Sequence, residues 1–155
     1  MTSIKKRLTC SLLATTIVLL LIPAVKATAE DFTVRAGQEE TKLLNLVTED
    51  RVQIRFTVTG GTTNALDFYI TGPHGNVMET FGNTGSVDFA FVCSQDGEYE
   101  LHFSNIASAE DKFVSLDYEV GHYIFGMPQM LFLALVVVLI CMAAVAVFIL
   151  MSKHP

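Results

Sequence analysis

The fold is decided by RVQIRFTVTG, residues 51–60, in which apolar and polar side chains alternate up to the final glycine. Val52, Ile54, Phe56 and Val58 fall on one face of this stretch, and polar or charged side chains fall on the other. A repeat of two residues is typical of a β-strand that buries one face and exposes the other. The stretch therefore predicts a strand of an antiparallel sheet that covers an apolar core.

The same alternation recurs on both sides of this stretch. Further strands are predicted at residues 32–36, 43–47, 66–71, 87–93, 99–103 and 114–120. Turns rich in glycine, proline and asparagine are predicted at residues 60–61, 72–76, 82–85 and 95–97. No helical repeat of useful length occurs between Asp31 and Gly121. The segment is therefore predicted to be all-β, an antiparallel β-sandwich of six to eight short strands.

An uncharged stretch follows this segment. Residues 128–151 read PQMLFLALVVVLICMAAVAVFILM and contain no charged side chain. About 20 apolar residues are enough to cross the hydrocarbon core of a bilayer as a helix. The stretch predicts one C-terminal transmembrane α-helix, with the lipid bilayer as its partner.

The N-terminus has the composition of a secretory signal. Lys5, Lys6 and Arg7 precede an apolar run at residues 8–22, and Ala27-Thr28-Ala29 fits the small-x-small rule for cleavage. Cleavage after Ala27, cleavage after Ala29 and retention as a signal anchor all remain open. Lys153 follows the second apolar run, so the positive-inside rule predicts a cytoplasmic C-terminus and an extracellular or luminal middle segment.

These features divide the chain into five parts. The predicted parts are a signal peptide (1–29), a β-sandwich ectodomain (30–121), a juxtamembrane linker (122–127), a transmembrane helix (128–151) and a cytoplasmic tail (152–155).

Charge is distributed unevenly along the chain. All 16 acidic residues lie between Glu30 and Glu119, where only five basic residues oppose them, an excess of eleven negative charges. Such a segment repels polyanions, so the sequence argues against nucleic acid as a partner.

Few residues suggest reactive chemistry. Cys93 is the one cysteine of the predicted ectodomain, and the alternation turns it toward the core as a buried thiol. The four histidines lack the spacing of metal ligands. His102 is expected to face solvent, and His122 is expected near the membrane surface beside the interfacial aromatic side chains of Tyr123 and Phe125.

Acidic side chains at positions 96, 98 and 100 fit a solvated strand face better than a calcium loop. The sequence thus predicts no catalytic residue, no metal site and no cofactor, and the chain is not expected to be an enzyme.

Three segments carry a family resemblance. Residues 66–77 (LDFYITGPHGNV), 89–105 (FAFVCSQDGEYELHFSN) and 112–118 (KFVSLDY) resemble, in order, a strand and turn, the F-x-F…G-x-Y stretch and the closing strand of a GOLD (Golgi dynamics) domain. The match covers roughly residues 32–120. The order of signal, domain, single span and short tail resembles the small cargo receptors of the early secretory pathway.

The chain departs from that resemblance in three places. One cysteine of the disulfide usual in those receptors falls where this chain has His102. Residues 121–127 are too few for a coiled-coil stalk, and residues 152–155 offer no aromatic or dilysine coat signal. The resemblance therefore implies the fold, and it does not extend to coat binding or vesicle sorting.

The function predicted from these observations is that of a single-pass type I membrane protein whose ectodomain binds a protein partner, either cargo or a complex subunit. The candidate partner-binding loop consists of Gly72, Pro73, His74, Gly75 and Asn76, with residues 82–85 as a second candidate surface.

Two alternatives stay open. One is an accessory subunit that assembles through the small side chains of Ala143, Ala144 and Ala146 in the span. The other is a carbohydrate- or calcium-binding surface module.

Overall fold

The structure, a computed structural model, describes residues 27–151. The described part forms ten strands and one helix in the following order. They are β1 (Ala27–Val34), β2 (Glu39–Leu46), β3 (Arg51–Thr59), β4 (Leu66–Thr71), β5 (Val77–Thr84), β6 (Ser86–Val92), β7 (Gly97–Ser104), β8 (Lys112–Gly121), β9 (Tyr123–Ile124), β10 (Met127–Pro128) and α1 (Gln129–Met151).

The eight long strands form two four-stranded sheets in which every neighbouring pair is antiparallel. Sheet A has the strand order β1-β8-β3-β6, and sheet B has the order β2-β7-β4-β5. Among these eight strands, β4 and β5 are the one consecutive pair that shares a sheet. Most connections therefore cross between the sheets, so nearly all strand pairing joins residues far apart in sequence.

The apolar rows predicted by the alternation do face a common core. Val52, Ile54 and Phe56 of β3 are each buried, as are the inward residues of β7. On β8, Val114 and Leu116 are buried, and Tyr118 and Val120 are partly buried against the same core. The ring of Phe103 in sheet B lies 5.2 Å from the ring of Phe56 and 5.1 Å from that of Phe32, which are both in sheet A. The apolar faces of the two sheets therefore contact each other through aromatic side chains.

Strand β5 departs from the prediction. Residues 82–84 were expected in a loop but belong to this strand, and Gly85 alone separates β5 from β6. Six of the eight β5 residues are exposed, because the strand lies at the edge of sheet B. An edge strand can form through backbone pairing without an alternating apolar pattern, which is why the sequence did not indicate it.

The helix α1 is described by itself, because the chain divides into separate compact units at Tyr123 and Ile124. Within residues 27–151, α1 is the one helix long and apolar enough to cross a membrane, and its span Gln129–Ala146 is not buried within the protein. The predicted signal peptide lies outside the described residues except for Ala27–Ala29, which begin β1, and the predicted tail lies outside them as well.

Candidate functional site

The predicted partner-binding loop is a tight turn between β4 and β5. The amide of Gly72 donates to the carbonyl of Asn76 at 2.9 Å, and the amide of Gly75 donates to the carbonyl of Gly72 at 2.9 Å. Gly75 has φ +72°, in the left-handed region that glycine adopts without strain. His74 and its two following residues are exposed. The turn therefore presents a defined surface to solvent.

A second turn, which leads into β7 at Gly97, packs against this one. A Cβ atom at Gly97 would lie 2.7 Å from the Cβ atom of Pro73, so the two turns can approach this closely only with glycine at position 97. Asp96, beside that glycine, accepts hydrogen bonds at 2.6 Å from the amide and the hydroxyl of Thr48. These hydrogen bonds lower the pKa of the Asp96 carboxyl, because they stabilise its charged form.

The contacts join three turns at one end of the domain, which we call the exit end. The exit end comprises residues 47–50, 72–76 and 93–96 and the last residues of β8. The second predicted surface, residues 82–85, lies at the other end of β5, a strand of eight residues. At about 3.3 Å per residue, the two candidate surfaces are roughly 25 Å apart and do not form one site.

A buried acid anchors the start of the juxtamembrane linker at the exit end. The Asp50 side chain is fully buried, accepts a hydrogen bond from the amide of Val47 at 3.0 Å and pairs with His122 Nδ1 at 2.8 Å. The guanidinium of Arg51 lies 4.3 Å from the ring centroid of Tyr123. His122 and Tyr123, expected at the membrane surface, therefore have partners on β3 and the turn before it.

Cys93 is buried at this end, as predicted. Burial, and secondly the nearby charge of Asp50, raise the pKa of its thiol to about 11. The thiol therefore stays protonated at neutral pH, and a protonated thiol is a poor nucleophile.

The expectation that His102 faces solvent is wrong. Its side chain is 12% exposed, with Nδ1 2.9 Å from Glu39 and Nε2 3.0 Å from Glu100. The Tyr69 ring stacks on the imidazole at a centroid distance of 4.3 Å. Burial, followed by a hydrogen bond to Glu39, raises the pKa of the Tyr69 phenol. These contacts tie β2, β7 and β4 together on the outer face of sheet B.

The acidic side chains at positions 96, 98 and 100 have separate partners and do not form one site. Asp96 binds Thr48 and Glu100 binds His102 and Thr71, while Glu98 is exposed on the strand between them. Within residues 27–151, no group of three or more histidine, cysteine or acidic side chains is placed to hold a metal ion.

In residues 27–151 the molecule is thus of the class in which a domain of antiparallel sheets is joined to one apolar helix of membrane-spanning length. The family model described as "emp24/gp25L/p24 family/GOLD" matches residues 29–130. This chain belongs to that family. The resemblance drawn from the three sequence segments is therefore confirmed. No curated protein matches the chain.

Solved structures with a similar arrangement are distant. The periplasmic g-type lysozyme inhibitor PliG of Aeromonas hydrophila is 12% identical, with 63% of this chain and 88% of that chain covered and a TM-score of 0.46. Salmonella Typhimurium PliG is 15% identical, with 64% and 91% covered and a TM-score of 0.43. The Yersinia pseudotuberculosis-derived mitogen is 10% identical, with 65% and 91% covered and a TM-score of 0.44.

Proposed function

We propose that this chain is a single-pass type I membrane protein whose GOLD-type β-sandwich lies on the extracellular or luminal side and binds a protein partner, either cargo or a complex subunit. The observation that carries the proposal is the family match over residues 29–130, followed directly by an apolar helix that the protein does not bury. Such a helix needs lipid around it. The basic residues at positions 5–7 and 153 support a cytoplasmic C-terminus.

The partner surface that we propose is the turn formed by residues 72–76. Two backbone hydrogen bonds fix this turn, and Gly97 packs beneath Pro73, so little conformational freedom remains to be lost on binding. His74 projects from it as an exposed side chain. The acidic excess of the ectodomain supports a protein partner rather than nucleic acid.

We also propose that the chain is not an enzyme. Its buried cysteine has a raised pKa, and the imidazole of His102 is held on both sides by carboxylates on the face of a sheet. Neither group is placed as a free nucleophile or general base.

The test is crosslinking of the full-length protein in its native membrane, followed by mass spectrometry of the adducts. His74→Glu changes the proposed surface, and Ala107→Glu places the same new charge on an exposed position at the opposite end of the domain. We expect one specific protein adduct that His74→Glu loses and Ala107→Glu keeps. Absence of any specific adduct with the wild-type chain would refute partner binding.

The orientation has a separate test. An epitope tag placed after Pro155 should be digested by protease only when the cytoplasmic side of the membrane is accessible, and digestion from the outside would refute type I topology.

A further inference from the structure

The two sheets leave an open edge on each side of the core, and charge covers one of them. On the side of β1 and β2, Lys42 forms an ion pair with Glu30 and lies 4.5 Å from the centroid of the Phe32 ring. The pair connects the edge strand of sheet A with the edge strand of sheet B. A lysine turned inward at a sheet edge discourages the addition of another strand.

The other edge, between β5 and β6, is apolar. Phe81 of β5 and Phe89 of β6 form a T-shaped contact with centroids 5.4 Å apart, and the ring of Phe91 lies 6.1 Å from that of Phe89. All three rings are only partly buried. We call these three side chains the aromatic seam. The aromatic seam connects the two sheets at the β5–β6 edge, whereas the ion pair of Lys42 and Glu30 connects them at the β1–β2 edge.

The strands beside the aromatic seam have backbone groups available for pairing. Among the strands of residues 27–151, β5 pairs with β4 alone, and β6 pairs with β3 alone. Val77 and Met78 of β5 are 59% and 38% exposed, so the start of this edge is apolar as well. Neither strand contains a basic residue or a proline, which are common means of protecting an edge. The pairing of β5 with β4 shifts register at Met78 and again between Phe81 and Thr84, so the regular part of this edge is residues 79–81.

The charges at this edge are acidic. Glu79 is exposed on β5, and the single charged residue of β6, Asp88, is engaged by Arg55 at 3.4 Å and Gln53 at 2.6 Å. Glu79 therefore sets the charge that a segment lying along β5 would meet. A basic side chain complements it, and the acidic excess of the whole ectodomain favours approach of a basic segment.

We propose that the β5 edge and the aromatic seam form a docking site for an extended segment of a protein partner, which places an apolar side chain beside Phe81 and a basic side chain, two positions along on the same face, beside Glu79. The segment adds to sheet B as a strand, and its backbone pairs with β5. Phe81 and Glu79 lie opposite Phe68 and Ile70 of β4, so their side chains share one face of sheet B. The apolar side chain that reaches Phe81 and Phe89 and the basic side chain that meets Glu79 are therefore two positions apart in the docked segment. This inference rests on the proposed function, because it specifies how the ectodomain binds a protein.

The first experiment uses a defined probe, a fluorescent eight-residue peptide that carries valine and lysine in turn at its odd positions and threonine at every even position, so that valine and lysine share one face. Its anisotropy is measured with the full-length protein in nonionic detergent and with protein-free micelles. Two further probes carry glutamate in place of lysine or a central proline in place of valine. We expect saturable binding of the lysine peptide, and at least about tenfold weaker binding of the other two, because one has the wrong charge and the other cannot pair as a strand.

Matched variants locate the site. Met78→Lys and Glu79→Lys add positive charge to the β5 edge, while Leu43→Lys makes a similar change at an exposed position on β2, the opposite edge strand of sheet B. We expect the two β5 variants to weaken binding of the lysine peptide at least about fivefold and Leu43→Lys to leave it unchanged. Equal effects of all three variants, or equal affinity for the three peptides, would overturn the proposal.

A photo-crosslinking amino acid at position 78 or position 43 of the full chain then tests the edge in native membranes. An adduct from position 78 with the protein captured at the turn of residues 72–76 supports the docking site. If the turn captures a partner but position 78 does not, the edge proposal fails and the proposed function stands. If neither captures one, both fail. An adduct of twice the chain mass would show that a second copy occupies the edge, which also overturns the proposal.

Discussion

Replacement of Phe103 by alanine is the most direct test of the two-sheet core. Phe103 is fully buried on β7, in the middle of sheet B. Its ring lies 4.9 Å from that of Phe68 on the neighbouring strand and 5.1 Å and 5.2 Å from those of Phe32 and Phe56 in sheet A. Truncation would therefore open a cavity between the two sheets.

The cost follows from burial and ring contacts. Phenylalanine-to-alanine changes in cores cost about 3–5 kcal/mol, and three ring pairs place this one near the upper end, at about 4–5 kcal/mol. A domain of this size has a total stability of roughly 5–15 kcal/mol. Because each kcal/mol shifts Tm by about 4–8 °C in such a domain, the expected fall is roughly 16–40 °C.

The measurement is thermal unfolding of the full-length protein in detergent, followed by near-ultraviolet circular dichroism of the aromatic side chains. Phe113→Ala is the matched control, since Phe113 is 46% exposed on the outer face of sheet A. It should cost less than about 1 kcal/mol. If Phe103→Ala lowers Tm no more than the control does, the two sheets do not share the core described.

Three further predictions concern the exit end. In a Cys10→Ser, Cys141→Ala background, the thiol of Cys93 should react with a disulfide reagent at pH 8 at least about 100-fold slower in the folded protein than in urea, because its pKa is about 11 instead of 9.0. A difference below about fivefold would contradict this. The lowered pKa of Asp96 stabilises the fold above the carboxyl pKa of the unfolded chain, and this stabilisation is lost as pH falls through the folded pKa. Thr48→Val removes one of the donors to Asp96, so it should flatten the dependence of Tm on pH below about pH 4, and an unchanged slope would count against the assignment. Asp50→Ala should cost about 1–3 kcal/mol in urea denaturation, because it leaves the Val47 amide without its acceptor, and a loss below about 0.5 kcal/mol would refute that role.

The inward rows of the strands could be predicted because burial alternates with the backbone. Ile54 and Phe103 were assigned to the core from their spacing alone, and both are fully buried. The turn at residues 72–76 was also predictable, because glycine and proline restrict the backbone locally. Partner binding by that turn stays a prediction.

Contacts that depend on strand order could not be predicted. Alternation correctly placed His102 on the outer face of its strand, but β7 lies between β2 and β4, whose side chains cover it. Its partner Glu39 is 63 residues earlier in the chain. Nothing in the spacing of the two residues indicates that their strands are neighbours, and only the register of the sheet brings them together.

The net charge of the surface also could not be predicted from the sequence, because composition counts charged side chains that the fold buries. Lys112 was counted among the five basic residues of the ectodomain, yet it is fully buried and donates to the carbonyls of Gly60 and Thr63. Lys42 is held against Glu30 and the Phe32 ring. Both lysines therefore offer little charge to a partner, whereas most acidic side chains remain at the surface. The surface that a partner meets is consequently more acidic than composition implies, which strengthens the case for a basic segment beside Glu79.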